Sequence, residues 1–424
     1  MFELKNHQTN GFIEVTAGLT TFFSMVYVLA ANPIILAGAG LPVGPVFTAT
    51  VLGTMAATLI MALYANLPFA VAPGMGLNAF FVVMVTQLHY SVAQSLTAVL
   101  ISGLIFVFLS LSPLRQKVLD EIPVCLQYAV GGGIGLMIAY IGLLNSGVVV
   151  FDRVPGIGNL GSGSPLLAIC GLLVTGVLLA LKFRFAVLAG ILIATVIGLP
   201  LGVTETKPLQ GGFLSLPPNL EDLFFNFDFS VIGSLDFWSV IIALLMMEIV
   251  DGMAGFLGLF SIMGRDRTYR HKLGRAFVAD SLGVVAGSVL GLSPNTTYGE
   301  SGTGVAAGGR TGLTALTVVF GFGLALFMSP LFLMVPSAAV APALVVVGLL
   351  MLYPTVTKID YHDVTDSFPA FVVIVTIALT WHISDSLALG WLAYMLMKTV
   401  SGRIRELTLT VWLIGIIFSF KIFY

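Results

Sequence analysis

The sequence predicts an all-α polytopic membrane protein with fourteen transmembrane segments, arranged as 7+7 inverted repeats. Three observations predict it. First, the 424 residues are 58% hydrophobic and only 9% charged, against about 25% charged for an ordinary soluble domain. Second, apolar runs near the roughly 20 residues needed to cross a hydrocarbon core follow one another along the chain. Third, Lys and Arg collect in alternate connections. A chain this poor in charge cannot clothe a soluble body of its size. That excludes a soluble enzyme, a nucleic-acid-binding protein and a disordered chain. The net charge of −2 implies no particular partner beyond the lipid bilayer.

The runs lie at 12–36, 45–67, 93–112, 123–145, 165–181, 185–202, 237–262, 273–292, 311–328, 336–353, 368–382 and 385–400. Two further segments, 70–88 and 293–309, are apolar but interrupted by Gly and Pro. With them the count is fourteen. A last run, 407–422, reads as a fifteenth span or an interfacial helix. The polar stretch before residue 12 is too long for a secretory signal, so the first run is kept as a span. A bacterial inner membrane, or an equivalent plasma membrane, is the expected location.

Charge placement tests the count. With the N-terminus cytoplasmic, 15 of the 18 Lys and Arg fall inside, including the cluster Arg265, Arg267, Arg270, Lys272 and Arg275. Arg153 and Lys207 fall outside, and Lys421 depends on the last run. The long outside loop 203–236 carries Glu205, Glu221, Asp222, Asp228 and Asp236. An odd error in the count before residue 265 would expose the densest basic cluster to the wrong side.

The interrupted segments are third and tenth, so they hold equivalent places in two halves. Their prolines, Pro73 and Pro294, are about 221 residues apart, and the first and eighth spans begin about 225 apart. Seven is odd, so the second half is inverted. Broken segments at matched positions of inverted repeats point to a transporter's substrate site. Extended backbone inside a membrane is tolerated only where protein buries it or it lines a cavity. In the third segment, Pro73, Gly74 and Gly76 disfavour helix until Asn78, Ala79 and Phe80. In the tenth, Pro294 to Tyr298 favour extended chain and a helix can start near Glu300. The two pieces could pair as short strands and aim two helix N-termini at one pocket.

Four acids lie inside apolar context: Glu248, Asp251, Asp280 and Glu300. A carboxylate at mid-bilayer costs on the order of 3 kcal/mol or more and is functional by default. Asp280 has a structural alternative as a cap or as a partner of Arg275. Glu248 and Asp251 are three apart and share a helix face, with Gly252, Gly255 and Gly258 keeping that face slim. No Lys or Arg falls in the middle of a span, which disfavours an inorganic-anion transporter. No Gly-Lys pair exists, so there is no ATP-binding loop. Cys125 and Cys170 are in neither metal nor redox spacing, and no metal and no cofactor are implied. Gly161 to Ser164 looks like a hydrolase elbow but lies in a loop without a nearby His. A pocket of two carboxylates, backbone N–H groups, Asn78 and the aromatics Phe80, Phe81 and Tyr298 suits a flat ring with an amide edge, a nucleobase. A second carboxylate there can hold a coupled proton.

At Pro294 to Glu300, P-N-T-T-Y-G-E, the chain resembles the tenth-span motif of uracil permeases in the nucleobase–cation symporter type 2 family. Gly304 to Ala315, Ala17 to Val28, Ala72 to Phe81 and Tyr128 to Leu143 are similar to its adenine/guanine/hypoxanthine (AzgA-like) branch. The resemblance covers essentially the whole chain. It implies a uracil-permease-like fold with a core domain (12–112 and 237–328), a gate domain (123–202 and 336–400) and an apolar tail, 401–424. It also implies a homodimer and purine uptake coupled to protons, or to sodium. Uracil or xanthine remains the alternative cargo. Residue by residue it makes Glu300 the tenth-span substrate acid, with Tyr298 and Gly299 beside it. Glu248 becomes the eighth-span acid and a second substrate-binding acid, Asp251 the branch's second acid and Asp280 the acid opening span nine; these three and Glu300 are the candidates to carry the coupled proton. Ser24, in the first matched motif, joins Asn78, Ala79 and Phe80 as a substrate contact. Glu248 stands where the branch has Asp, and Gly252 where it has Thr.

Overall fold

The first apolar run does not form one helix. It forms α1 (Gly11–Met25) and α2 (Val28–Ala37), separated at Val26 and Tyr27. The computed structural model describes residues 2, 4–112, 123–152, 154–183, 185–263, 266–408, 411, 412 and 415. The second run is α3 (Val43–Ile60), ending in a π-helical turn, Met61–Ala65. Asn66 stops that turn in the left-handed region, at φ 50°, a conformation Asn adopts more readily than most residues.

The third segment opens as a strand, β1 (Val71–Pro73), and continues as α4 (Met75–Thr86). α4 starts earlier than the sequence suggests. Gly74 takes the cap position with extended dihedrals, so Gly76 sits in the first turn, where its backbone needs no intrahelical acceptor. α5 (Val92–Leu111) is fixed by a reciprocal capping box between Ser91 and Gln94. α6 (Val124–Asn145), a hairpin of β2 (Val149–Asp152) and β3 (Val154–Ile157), α7 (Gly163–Ala180) and α8 (Ala186–Gly198) complete the first half. The hairpin falls in a stretch expected to be loop.

The second half begins with α9 (Leu235–Ile262) and α10 (Asp266–Val289). α10 takes in Arg267, Arg270, Lys272 and Arg275, which were expected in a connection. No Pro interrupts 266–289 and its first glycine is Gly274, so the helix extends outward through the basic turn. The tenth segment repeats the third: β4 (Asn295–Thr297), then a short α11 (Ser301–Ala306). α12 (Gly312–Ala325), α13 (Ser329–Leu333), α14 (Ser337–Lys358), α15 (Val364–Thr380) and α16 (Ile383–Val400) follow. The run 407–422 lies mostly outside the described residues, as do Arg115, Lys117, Arg153, Arg184 and Arg265.

The mostly helical fold and the paired extended pieces agree with the expectation. β1 and β4 are antiparallel, with Val71 opposite Thr297, Ala72 opposite Thr296 and Pro73 opposite Asn295. Among the described residues, seven helical stretches are long and apolar enough to cross a membrane, and three shorter helices are apolar as well. Packing sorts the helices into two groups. α2, α3, α9 and α10 pack on the β1–β4 pair; α5 packs on α9 and α10, and α12 joins α3 to α1. α6 packs on α14 and α15, and α7 and α8 pack on each other and on α14.

Small residues permit the close approaches. A Cβ on Gly255 of α9 would lie 3.3 Å from the Thr297 carbonyl oxygen of β4, and one on Gly252 would lie 2.9 Å from Asp280 Oδ2. This is the slim helix face expected from the spacing. It lets α9 rest directly on the strand pair.

Candidate substrate site

The strand pair is satisfied from both halves. The Ala70 N–H donates to Ser301 Oγ at 2.9 Å, and the Val71 N–H donates to Thr58 Oγ1 at 3.0 Å. The Tyr298 N–H donates to the Ala70 carbonyl at 2.9 Å, and the Gly74 N–H to the Pro294 carbonyl at 3.1 Å. Tyr298 Oη donates to the Pro73 carbonyl at 2.8 Å. Unpaired backbone groups would be costly here, and these bonds hold the irregular chain in one conformation.

A cavity of about 250 Å³ opens where the pair ends. One wall is the start of α4 (Gly74 to Gly76) and the end of the tenth-segment strand (Thr296 to Glu300). Asp251 and Val250 of α9 add to it, and Tyr27 enters from the α1–α2 break. The opposite wall comes from the other helix group: Gln127, Tyr128 and Gly131 of α6, and Val347, Leu350 and Met351 of α14. The site therefore lies between the two groups. Two carboxylates face it, and among the described residues its lining includes no Lys, Arg or His. Gly74 caps α4 without a side-chain hydrogen bond, so the first N–H groups of that helix are free to donate.

Glu300 occupies the cap position of α11, and its Oε1 accepts a 2.6 Å hydrogen bond from Tyr27 Oη. Asp251, Tyr298, Gly299 and Glu300 are the expected site residues that the structure brings together at this cavity. The others sit elsewhere. Glu248, buried, accepts from Ser102 Oγ of α5 at 2.8 Å, and its Oε2 has no hydrogen-bond partner among the described residues. Asp280 accepts from Thr297 Oγ1 at 2.8 Å. It does not pair with Arg275, whose guanidinium lies over the Tyr64 ring at 5.0 Å. Asn78 accepts from Ser293 Oγ at 2.5 Å and ties α4 to the approach of β4. Ala79, Phe80 and Phe81 are buried in the core. Because α4 starts at Met75, these residues fall in its first turns facing protein. Ser24 Oγ is 2.9 Å from Thr303 Oγ1 and joins α1 to α11.

Sequence reasoning missed Tyr27, Gln127, Tyr128 and Met351. Gln127 carried a signal, as an amide within an apolar span. Tyr27 carried none, because nothing in T-T-F-F-S-M-V-Y-V-L-A announces the helix break that turns it into the cavity.

The comparisons place this architecture. The profile of the Permease family, which covers xanthine and uracil permeases, matches residues 12–389. This chain belongs to that family, the nucleobase–cation symporter type 2 permeases. It is 39% identical to the guanine/hypoxanthine permease PbuO of Bacillus subtilis over all of both chains. It is 36% identical to the adenine permease AdeP of Escherichia coli, covering 100% of this chain and 95% of that one. In structure it is similar to the transmembrane domain of the cyanobacterial bicarbonate transporter BicA. There the TM-score is 0.62 at 15% identity, over 89% of this permease and 96% of that chain. It is also similar to murine Slc26a9, at TM-score 0.66 and 13% identity, over 92% and 68% of the two chains. Those likenesses describe the fold of the permease.

Proposed function

We propose that this permease is a secondary-active importer of purine nucleobases, guanine and hypoxanthine or adenine. The observation that carries the reading is the pairing of Asp251 and Glu300 in one small cavity whose lining, among the described residues, includes no basic side chain. Two carboxylates accept ring N–H and exocyclic NH₂ donors, and the open N–H groups of α4 donate to a ring carbonyl. A cavity of this size suits a bicyclic base. Relatives at 36–39% identity over the full chain carry guanine/hypoxanthine and adenine permease names. The lining disfavours an inorganic anion, which would meet two like charges.

The remaining acids divide the labour. Glu248 and Asp280 are buried outside the cavity lining, with one oxygen of Glu248 unpaired among the described residues. We assign them to the coupled proton, with Asp251 and Glu300 holding the base. The group around the strand pair is the core domain, and α6 to α8 with α14 to α16 the gate. The chain is read as fourteen crossings with a cytoplasmic N-terminus, in a bacterial inner membrane, as a homodimer.

The direct test is a thermal-shift series of the purified protein against guanine, hypoxanthine, adenine, xanthine, uracil and sulfate. A ligand that binds only the folded state stabilises it. Stabilisation by a purine is the expected result. A shift with uracil alone would move the substrate to pyrimidines, and a shift with sulfate alone would overturn the reading. In proteoliposomes, a protonophore at constant sodium is expected to abolish accumulation. Persistent accumulation would assign the coupling to sodium.

A further inference from the structure

Tyr27 stands at the break between α1 and α2, and its hydroxyl donates to Glu300 Oε1 at 2.6 Å. Both residues line the cavity. A phenol has one proton and two lone pairs. With Glu300 ionised, that proton is committed to the carboxylate. Anything else that reaches Tyr27 Oη meets lone pairs only. Glu300 Oε2 likewise offers only lone pairs. Tyr27 and Glu300 therefore present a continuous edge that accepts hydrogen bonds and cannot donate them.

We infer that Tyr27 is a specificity-determining residue, selecting a ring edge that carries two adjacent donors. The inference rests on the purine reading above and deepens it. Guanine presents a ring N–H beside an exocyclic NH₂. Hypoxanthine presents the same ring N–H beside a C–H. Xanthine presents it beside a carbonyl, whose lone pairs would oppose those of Tyr27 with no proton between them. A site built to accept from a donor rejects strongly the analogue that lacks it, because its own polar groups are then buried without partners. The order of affinity set by this edge is guanine, then hypoxanthine, then xanthine.

The test measures dissociation constants of the three bases by calorimetry on the purified full-length permease and its Tyr27→Phe variant. The pH is held near neutral, where xanthine is largely neutral and protonation of Glu300 is not favoured. In the unaltered protein, guanine is expected to bind about 100-fold or more tightly than xanthine. Tyr27→Phe is expected to narrow that ratio by about tenfold, the size of one lost hydrogen bond to a charged or committed group. Guanine should lose most. Hypoxanthine should lose only what the loosened Glu300 costs, and its binding shows that the variant is folded. Equal weakening of all three bases would overturn the inference and leave Tyr27 as a holder of Glu300. Equal binding of xanthine and guanine by the unaltered protein would overturn it without any variant. Failure of the unaltered protein to bind any purine is a different result, which removes the purine reading itself.

Discussion

The third and tenth segments enter one antiparallel pair from opposite halves of the chain, and each passes from a three-residue strand into a helix. Their contents differ. Residues 71–86 contain no ionisable side chain, and their helix runs twelve residues. The tenth segment carries Glu300 at the cap of a helix of only six residues. The first contributes backbone: Gly74 to Gly76 line the cavity, and Asn78 is used as a strut to Ser293. The second contributes charge, held by Tyr27 from the first half. The same division separates α3, with no acid, from its counterpart α10, which brings Asp280, and the cavity's other carboxylate, Asp251, also comes from the second half, on α9. The repeat has kept its scaffold in both halves and drawn both cavity carboxylates from one.

The sharpest way to break this contrast is to neutralise the charged half. Glu300→Gln is expected to weaken purine binding at least about 100-fold, as for loss of a buried charge-assisted partner, with the melting temperature of the ligand-free protein little changed. Calorimetry on the purified variant reads it, and unaltered affinity would remove Glu300 from the site. Asp251→Asn should follow at about tenfold or more. Glu248→Gln sharpens the comparison within α9. Its side chain is turned to Ser102 rather than to the cavity, so affinity should stay within about threefold, while proton-driven accumulation in proteoliposomes is lost. A large affinity loss in Glu248→Gln, with Asp251→Asn unaffected, would exchange the roles of the two acids.

Much of this was legible in the sequence, for identifiable reasons. The inverted arrangement of broken segments follows from Pro73 and Pro294, since proline removes a donor whatever surrounds it. Glu300 and Asp251 stand out because acids are expensive in apolar runs. Which of four acids face a common cavity was not legible. A spacing of three puts Glu248 and Asp251 on one face of α9, but one turn of helix displaces them enough for α5 to claim the first and the cavity the second. Phe80 and Asn78 were read as site residues because helix was expected to begin with them. Gly74 acting as the cap moved that start back three residues and rotated both into protein. Tyr27 and the α6 wall depend on where a helix breaks and which helices meet across the seam, and neither is a local property.

Two acids outside the cavity extend the comparison from chemistry to stability. Glu14, in the first turn of α1, is fully buried. It accepts from the backbone N–H groups of Arg310 and Thr311 and from the hydroxyls of Thr311 and Thr314, at 2.6–3.2 Å. It thus caps the start of α12 from the opposite repeat. Glu14→Ala would strand those donors without water, and a loss of about 2–4 kcal/mol is expected, read as a lower melting temperature with purine affinity retained. Retained stability would mean that water replaces the carboxylate and that the halves are not joined there.

Asp363, at the cap of α15, is the partly exposed counterpart. Hydrogen bonds from the Thr365 hydroxyl and backbone, then from Arg403, hold its carboxyl down at about 2. The folded value lies below the unfolded one, about 3.9. Its contribution is therefore complete above that unfolded value and is lost as pH falls through about 2. Between pH 7 and 5 this pair should change nothing. Any stability change over that interval should be identical in the unaltered protein and in Asp363→Asn. A difference between the two melting curves that appears at pH 5 would mean that Asp363 titrates higher than its partners allow. The end of α15 would then be held by something other than the Thr365 and Arg403 bonds.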